Sequence, residues 1–245
     1  MEAPRASIEA DEIVAAADVP QLSVIVPLAP GEAAWRELID QLGALPAHSE
    51  VIVVHADKQN TPADDWPAAL SLRHYVSQCG RAQQQNLGAR AARGRWLWFV
   101  HADSRLQPDT LPALERFLAR PDDALGYFDL TFRHDGPRLA ALNAWGANLR
   151  SHWLQLPFGD QGLLLPAARF AALGGFDETA RCGEDHLLVW SARHVGLPIV
   201  GIGASLQTSA RKYARHGWLR TTLQHWWLTA TQAWSARRGT RRGQP

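Results

Sequence analysis

The segment Arg95-Trp96-Leu97-Trp98-Phe99-Val100-His101-Ala102-Asp103 is an apolar run that ends in a polar turn carrying one carboxylate. A short, continuous apolar run of this kind is typical of a strand that is buried on both faces of a parallel sheet. In open α/β sheets ligands bind beyond the carboxyl ends of the strands, so Asp103 is a candidate metal ligand. The alternative is that Asp103 only starts a turn or caps the helix expected after Pro108.

Alternating strand and helix patterns extend from this segment in both directions. Strands are predicted at 22–26, 50–54, 72–76, 96–100, 125–132, 161–165 and 198–202. Helices are predicted at 32–44, 81–93, 108–119, 137–154, 167–173, 184–195 and 213–235. The βαβ order predicts an α/β fold with a mostly parallel sheet flanked by helices, in which the 125–132 strand pairs differently from the others. We divide the chain into a tail at 1–20, one domain at 21–212, and an aromatic and basic helix and tail at 213–245.

The segment from Gly80 to Asp103 resembles the central part of the family 2 glycosyltransferases of GT-A fold, with Asp103 at the second Asp of their Asp-X-Asp metal motif. Four further segments agree with that family in order and spacing: Leu22 to Pro27, Glu50 to Val54, Gly174 to Asp177, and the pair Glu184-Asp185. The resemblance covers about residues 20 to 225. Two segments, Gly159-Asp160-Gln161-Gly162 and Thr208 to Arg211, are similar to a bacterial subgroup linked to arsenosugar biosynthesis.

The resemblance implies a metal-dependent, inverting transfer of a sugar, hexosyltransferase-like, from a nucleoside diphosphate donor, with a UDP-sugar favoured. Asp185 matches the general base, and Glu184 stands beside it. The donor contacts that it implies are Pro27, Asp57, Arg81, Asn86, Asp103 and Arg211. Asp160 and Gln161 would hydrogen-bond a sugar hydroxyl, although a simple turn is the alternative for this segment. The chain departs from the family at His55-Ala56-Asp57-Lys58, so the usual nucleoside-contacting acid is either replaced by Asp57 or absent.

The residues themselves also indicate what chemistry they could perform. An acceptor hydroxyl must lose a proton as it attacks, and a positioned carboxylate such as Asp185 accelerates that step by ~10² to 10⁴-fold. A departing diphosphate gains negative charge, which Mg²⁺ or Mn²⁺ bound to Asp103 would stabilise. His101 is favoured as a core or hydrogen-bonding residue over a second ligand. Arg211 and Lys212 either reach the diphosphate or form a solvated basic face.

Charge and aromatic residues are concentrated in the last part of the chain. Nine basic residues and no acidic one follow Asp185, although the whole chain has a net charge of only +1. Four of the eleven tryptophans lie between 218 and 234, where an amphipathic helix would lie on an anionic membrane or pack on the core or a dimer partner. Motifs for nucleic-acid binding are lacking, so we expect no nucleic-acid partner.

Cysteine usage and the N-terminal composition predict a cytoplasmic protein. Cys79 and Cys182 have neither metal-site nor disulfide spacing, and each is expected to be a small buried side chain. Met1 to Gln21 lacks the basic and then apolar pattern of a signal peptide. Two alternatives to an enzyme stay open at this point: an inactive nucleotide-sugar-binding protein and a membrane-peripheral scaffold.

Overall fold

A computed structural model of the chain describes residues 20–56, 70–137, 139–180 and 182–211. The strands are β1 (Leu22–Leu28), β2 (Ser49–His55), β3 (Leu72–Val76), β4 (Trp96–Phe99), β5 (Arg105–Leu106), β6 (Leu125–Phe132), β7 (Leu164–Pro166) and β8 (Ile199–Thr208). The helices are α1 (Trp35–Leu42), α2 (Arg81–Ala91), α3 (Thr110–Leu118), α4 (Ala140–Leu154), α5 (Ala167–Ala172) and α6 (Glu184–His194), with a 3₁₀ turn at Gly159–Gln161. The predicted helix at 213–235, and the predicted tail at 1–20 except Pro20, lie outside the described residues.

The eight strands form one sheet in the order β3-β2-β1-β4-β7-β6-β8-β5. The first four strands in this order are mutually parallel, and β6 is parallel to β8. Strand β7 runs antiparallel to both β4 and β6, and β5 runs antiparallel to β8. The predicted α/β fold is therefore confirmed, and the different pairing expected of 125–132 is an antiparallel contact with β7. Because β4 and β6 both run opposite to β7, the carboxyl ends of β1, β2, β4, β6 and β8 all lie at one edge of the sheet.

Strand β4 lies at the centre of the core, as its apolar sequence predicts. Trp96 and Trp98 point to one face, where their rings lie 5.6 Å from Phe117 and 5.4 Å from Phe128, respectively. Leu97 and Phe99 point to the other face. All four side chains are at most 1% exposed. This burial on both faces follows from the position of β4 between β1 and β7, with helices covering the sheet.

The second half of the sheet differs from the predicted strand limits for identifiable reasons. The strand predicted at 161–165 is wrong at its start, because Gln161 ends a 3₁₀ turn and Gly162 follows with a left-handed φ of 63°. Strand β7 therefore begins only at Leu164. Strand β8 continues six residues beyond the predicted end at residue 202. A break in its register with β6 between Tyr127 and Asp129 accommodates Gly203, whose φ is 81°.

A buried carboxylate fastens the amino-terminal edge of the sheet. Glu50 accepts hydrogen bonds from the Ser23 hydroxyl at 2.6 Å, the Arg93 backbone N–H at 2.7 Å and the Arg73 guanidinium at 2.5 Å. Burial raises the pKa of Glu50, but these donors outweigh burial and lower the pKa overall. The Gly94 N–H donates to the same Ser23 hydroxyl, so the starts of β1 and β2 and the entry to β4 share one network.

Several surface features bear on the predictions from composition. Both cysteines are exposed, so the prediction of buried cysteines is wrong: Cys79 and Cys182 lie in the loops that lead into α2 and α6. None of the described helices is long and apolar enough to cross a membrane. Helix α4 nevertheless exposes a row of large apolar side chains, including Trp145 at 65% and Trp153 at 80%.

Candidate active site

Asp103 lies in the turn after β4, at the edge where the parallel strands end. Its carboxylate accepts a long hydrogen bond of 3.4 Å from the Thr208 hydroxyl at the end of β8. Burial raises the pKa of Asp103, and the nearby Glu32 carboxylate raises it further, whereas Arg211 and Thr208 lower it. The resulting pKa lies above the usual range for an aspartate. A cation that approaches a carboxyl group in this environment stabilises its charged form.

Arg211 lies at the same edge of the sheet, just after the end of β8. Its guanidinium lies 3.9 Å from the Glu32 carboxylate and 3.9 Å from the Asp135 carboxylate, and its Nε donates to the Ser209 hydroxyl at 2.9 Å. Asp135 is fixed in turn by the Ser209 hydroxyl and the Ala210 N–H, both at 2.7 Å. These contacts position Arg211 beside Asp103 although 108 residues separate the two in sequence.

The residues around Asp103 fit a divalent cation that shares its ligands with a phosphate. Within the described ranges no group of three or more His, Cys, Asp and Glu side chains could hold a metal ion by itself. Magnesium is commonly bound by one or two carboxylates together with substrate phosphates, and oxygen donors are its preferred ligands. Asp103, with the Glu32 carboxylate and the Thr208 hydroxyl nearby, matches that donor set.

Asp185 lies in the first turn of α6 and is held by two backbone donors. Its Oδ2 accepts a hydrogen bond of 2.5 Å from the Gly159 N–H, and its Oδ1 accepts one of 2.9 Å from the His186 N–H. The contact with Gly159 brings the two predicted segments, Gly159 to Gly162 and Glu184-Asp185, into direct contact. The two N–H groups thus fix the direction of the Asp185 carboxylate at the start of the helix.

Glu184 is oriented differently from its neighbour. It is buried, at 7% exposure, and its Oε1 lies 3.7 Å from the guanidinium of Arg81 at the start of α2. Burial raises the pKa of Glu184, the Asp185 carboxylate raises it further, and Arg81 opposes both effects. The half-buried Asp185 is thus the more accessible of the two acids, and Arg81 contacts Glu184.

Two predicted ligand-binding amides make their hydrogen bonds within the protein. Asn86 donates to the Phe176 carbonyl and accepts from the Phe176 N–H, both at 2.9 Å, and also donates to the Glu178 carboxylate at 2.8 Å. It therefore anchors the loop that precedes α6. Gln161 is fully buried and bonds to neighbouring helix, turn and strand. Both amides thus support the site through the segments they hold.

The other predicted residues have simpler positions. Pro27 lies near the end of β1, beyond the last residue of that strand that pairs with β4, where the missing N–H of proline is tolerated. Asp160 is half-buried in the 3₁₀ turn, and His101 is half-buried in the turn after β4. Asp57 and Lys212 lie outside the described residues.

Gln84 was missed by sequence reasoning, although it connects two strand ends at this edge. Its side-chain N–H₂ donates to the Leu28 carbonyl at 2.8 Å and to the Val54 carbonyl at 2.7 Å. A signal for it was present: helix α2 has to pack on the sheet, yet its sequence offers mainly amide side chains for the buried face. Such a helix predicts buried amides that satisfy strand-end carbonyls.

The sequence match agrees with this architecture. The family model for glycosyl transferase family 2 matches residues 23–162, more than half of the chain, and the chain belongs to that family. The sheet, its flanking helices and the acidic residues at the strand ends correspond to a GT-A fold. A comparison with curated protein sequences gave no match.

Three solved structures, of two proteins, share the fold at low sequence identity. A structure of residues 1–349 of S. aureus TarS superimposes with a TM-score of 0.62 at 17% identity, covering 77% of this chain and 60% of that one. The same S. aureus TarS segment in complex with UDP-GlcNAc gives 0.60 at 20% identity, covering 77% and 58%. The mannosyltransferase PcManGT from Pyrobaculum calidifontis, in complex with GDP-Man and Mn²⁺, gives 0.56 at 22% identity, covering 81% and 59%. The chain thus spans at most 60% of the length of these structures.

Proposed function

We propose that this protein is an inverting glycosyltransferase that moves a sugar from a nucleoside diphosphate donor to a hydroxyl acceptor. The observation that carries the proposal is the Asp185 carboxylate, which two backbone N–H groups hold at the start of α6. Residues 21–212 would form the transferase domain, and 213–245 an appended helix and tail. Membership of the family and the UDP-GlcNAc and GDP-Man bound in the TarS and PcManGT structures support a sugar nucleotide as donor.

The donor diphosphate would bind beside Asp103 and Arg211. Asp103 would hold Mg²⁺ or Mn²⁺, with Glu32 and Thr208 next to it, and the bound ion would act as a Lewis acid toward the departing diphosphate. The Arg211 guanidinium, whose ion pairs at 3.9 Å are long, can exchange them for phosphate oxygens. Asp57 would contact the nucleoside and Pro27 would line the donor site, as the family resemblance implies. The Mn²⁺ in the PcManGT complex supports a divalent ion.

The acceptor hydroxyl would bind against Asp185. One carboxylate oxygen points to Gly159 and the other to His186, so each retains a lone pair that can accept the acceptor proton. The hydroxyl oxygen then attacks the anomeric carbon from the side opposite the diphosphate, and the configuration inverts. Glu184, buried against Arg81, would orient this turn of α6 without taking the proton.

The nature of the substrates is a further part of the proposal. A UDP-sugar is favoured as donor, since S. aureus TarS structures are complexes with UDP and UDP-GlcNAc. Asp160 would hydrogen-bond a sugar hydroxyl from its half-buried position in the turn. Arsenosugar chemistry, suggested by the resemblance to a bacterial subgroup, stays a prediction.

We also propose that the protein works in the cytoplasm on an anionic membrane surface. The supporting observation is the exposed face of α4, formed by Leu142, Trp145, Leu149 and Trp153 at helical spacing and 42–80% exposed. Arg193 reaches the end of this helix, where its guanidinium donates to the Leu154 carbonyl. Helix α4 itself has no acidic residue, and none occurs after Asp185. Exposed aromatic side chains beside basic ones are typical of interfacial helices.

Thermal unfolding with a panel of sugar nucleotides tests the main proposal. UDP-glucose, UDP-GlcNAc and GDP-mannose are each added with Mn²⁺ or with EDTA, and a ligand that binds raises the melting temperature by mass action. The stabilising donor is then tested for release of nucleoside diphosphate, and the anomeric configuration of the product is read by NMR. Binding without turnover in the presence of acceptor alcohols and water would favour the inactive binding protein. No stabilisation by any donor would contradict both readings.

A further inference from the structure

Gln161 occupies the junction between a helix, a strand and the turn that touches Asp185. It is fully buried, so its side chain contacts protein on every side. Its Oε1 accepts hydrogen bonds from the Ser151 hydroxyl of α4 at 2.8 Å and from the Phe158 N–H at 3.1 Å. Its Nε2 donates to the Phe128 carbonyl of β6 at 3.1 Å. One side chain thus connects the turn to two rigid elements.

The turn itself is closed at both ends by these contacts. The Gln161 N–H donates to the Phe158 carbonyl at 3.0 Å, and the Gly162 N–H donates to the Gly159 carbonyl at 3.1 Å. The side chain of Gln161 adds a second link to Phe158, through that residue's N–H. Between these fixed ends, the Gly159 N–H points out of the turn and donates to Asp185 at 2.5 Å.

We propose that Gln161 is a positioning residue, which holds the Gly159 N–H in place so that Asp185 is oriented toward the acceptor. This inference rests on the proposed function only in taking Asp185 as the general base. Gln161 is therefore assigned to the protein scaffold of the reaction and not to direct contact with a sugar. Ser151, also fully buried, supports the same amide from α4.

The physical reason is that a hydrogen bond to a carboxylate fixes both its direction and its charge. Loss of a donor disfavours the ionised form, so the acidic limb of the rate profile should move to higher pH. Glu184 and His186 are the titratable neighbours of Asp185 in α6, Arg81 lies 3.7 Å from Glu184, Asp160 follows Gly159 in the turn, and Arg150 stacks on the ring of Phe158. None of these changes in a variant of Gln161, so a shift of the limb reports the lost donor.

Three variants separate positioning from general stability. Gln161→Met keeps the volume of the side chain and removes its three hydrogen bonds, and Ser151→Ala removes only one of them. Asn148→Leu is the matched control, because the Asn148 amide also connects α4 to β6, bonding the Leu130 N–H at 2.8 Å and the Leu130 carbonyl at 3.0 Å. Both of these bonds go to Leu130, so neither links Asn148 to the turn at 158–161.

Two measurements are made on the full chain. Residue-resolved amide exchange by NMR, without ligand, reports protection of the Gly159 N–H. The second assay uses the donor that the thermal panel identifies, with water or an alcohol as the sugar acceptor. Release of nucleoside diphosphate in this assay reports kcat and its pH dependence. We expect Gln161→Met to lose protection at Gly159, lower kcat ~10-fold or more with little change in the donor KM, and raise the acidic limb. Ser151→Ala should do the same to a smaller extent, and Asn148→Leu should do neither.

Unchanged protection and unchanged turnover in Gln161→Met would overturn the inference. If Gln161→Met fails to fold, the Ser151→Ala variant decides. If Ser151→Ala loses no more rate than Asn148→Leu and the acidic limb of its pH profile does not shift, Gln161 is only a structural residue. If the parent protein protects Gly159 but releases no nucleoside diphosphate from any donor, the proposed function fails while the anchoring of Gly159 by Gln161 stands.

Discussion

Substitution of Gly159 by alanine probes the contact between the turn and the base directly. An added Cβ would lie 2.8 Å from Oδ2, 3.2 Å from Cβ and 3.3 Å from Cγ of Asp185. Ordinary van der Waals contact begins at 3.4 Å, so the carboxylate would have to retreat by about 0.6 Å. The backbone of Gly159 has no left-handed φ, so alanine introduces no backbone strain there.

We expect the Gly159→Ala substitution to lower turnover. A misplacement of 1 Å in a reacting group lowers rates by about 10²-fold, and the retreat also lengthens the hydrogen bond from Gly159. We therefore expect Gly159→Ala to lower kcat by about 10-fold to 10²-fold, with donor binding close to that of the parent. The assay is release of nucleoside diphosphate at saturating donor, together with donor affinity by calorimetry.

Gly146→Ala is the matched control, because an added Cβ at this position in α4 meets no atom within 4 Å. It should keep full activity and gain about 0.5–1 kcal/mol of stability, since alanine favours the helix. A Gly159→Ala protein that folds normally and turns over at the parental rate would refute the reasoning. Either Asp185 would then not be the base, or its orientation would not depend on Gly159.

Four more outcomes are expected. Asp103→Asn should keep the fold and lose the Mn²⁺-dependent part of its nucleotide affinity, measured by calorimetry. If the variant and the parent have equal affinity, both with metal and without it, Asp103 is only a turn residue. Asp185→Asn should lower kcat ~10² or more, whereas Glu184→Gln should be milder; the reverse order would exchange their roles. Because the folded pKa of Glu184 is raised, its contribution to stability is present below its unfolded pKa and lost as the pH rises through the folded pKa. Glu184→Gln should thus gain melting temperature relative to the parent from pH 4 to pH 8. The parent should co-sediment with phosphatidylglycerol vesicles at low salt, and the double variant Trp145→Ser, Trp153→Ser should not; sedimentation of both alike would remove α4 from the membrane proposal.

Local patterns in the sequence predicted most of the fold. The apolar run at β4 and the alternation of strands and helices gave correct elements, because burial on one or both faces leaves a direct periodic signal. The exceptions depend on backbone conformations that hydrophobicity does not reveal. The 3₁₀ turn and the left-handed Gly162 delay the start of the strand predicted at 161–165, and the register break near Gly203 allows β8 to continue beyond its predicted end at residue 202.

The positions of the acidic residues in the candidate site could be predicted from the sequence, whereas the hydrogen-bond partners of its amides could not. Asp103 and Glu184-Asp185 stand at the end of a strand and the start of a helix, positions that sequence alone can locate. The roles of Asn86 and Gln161 depend on partners from other elements: the backbone that Asn86 binds is 90 residues away in the chain. No local pattern indicates which distant carbonyl an amide will find. Likewise, the pairing of Arg211 with Glu32 joins the segment after β8 to the segment after β1, which lie far apart in the sequence.

The Glu50 network at the amino-terminal edge has a consequence for how this protein tolerates change. It links the starts of β1 and β2 and the entry to β4 through hydrogen bonds with Ser23, Arg73 and Arg93, at the edge opposite Asp103 and Arg211. Strand register is therefore secured away from the loops that would meet donor and acceptor. Those loops can be shortened, lengthened or exchanged with less risk to the register of the sheet. The edge that carries Asp103 and Arg211 is therefore the place to graft new sugar specificity.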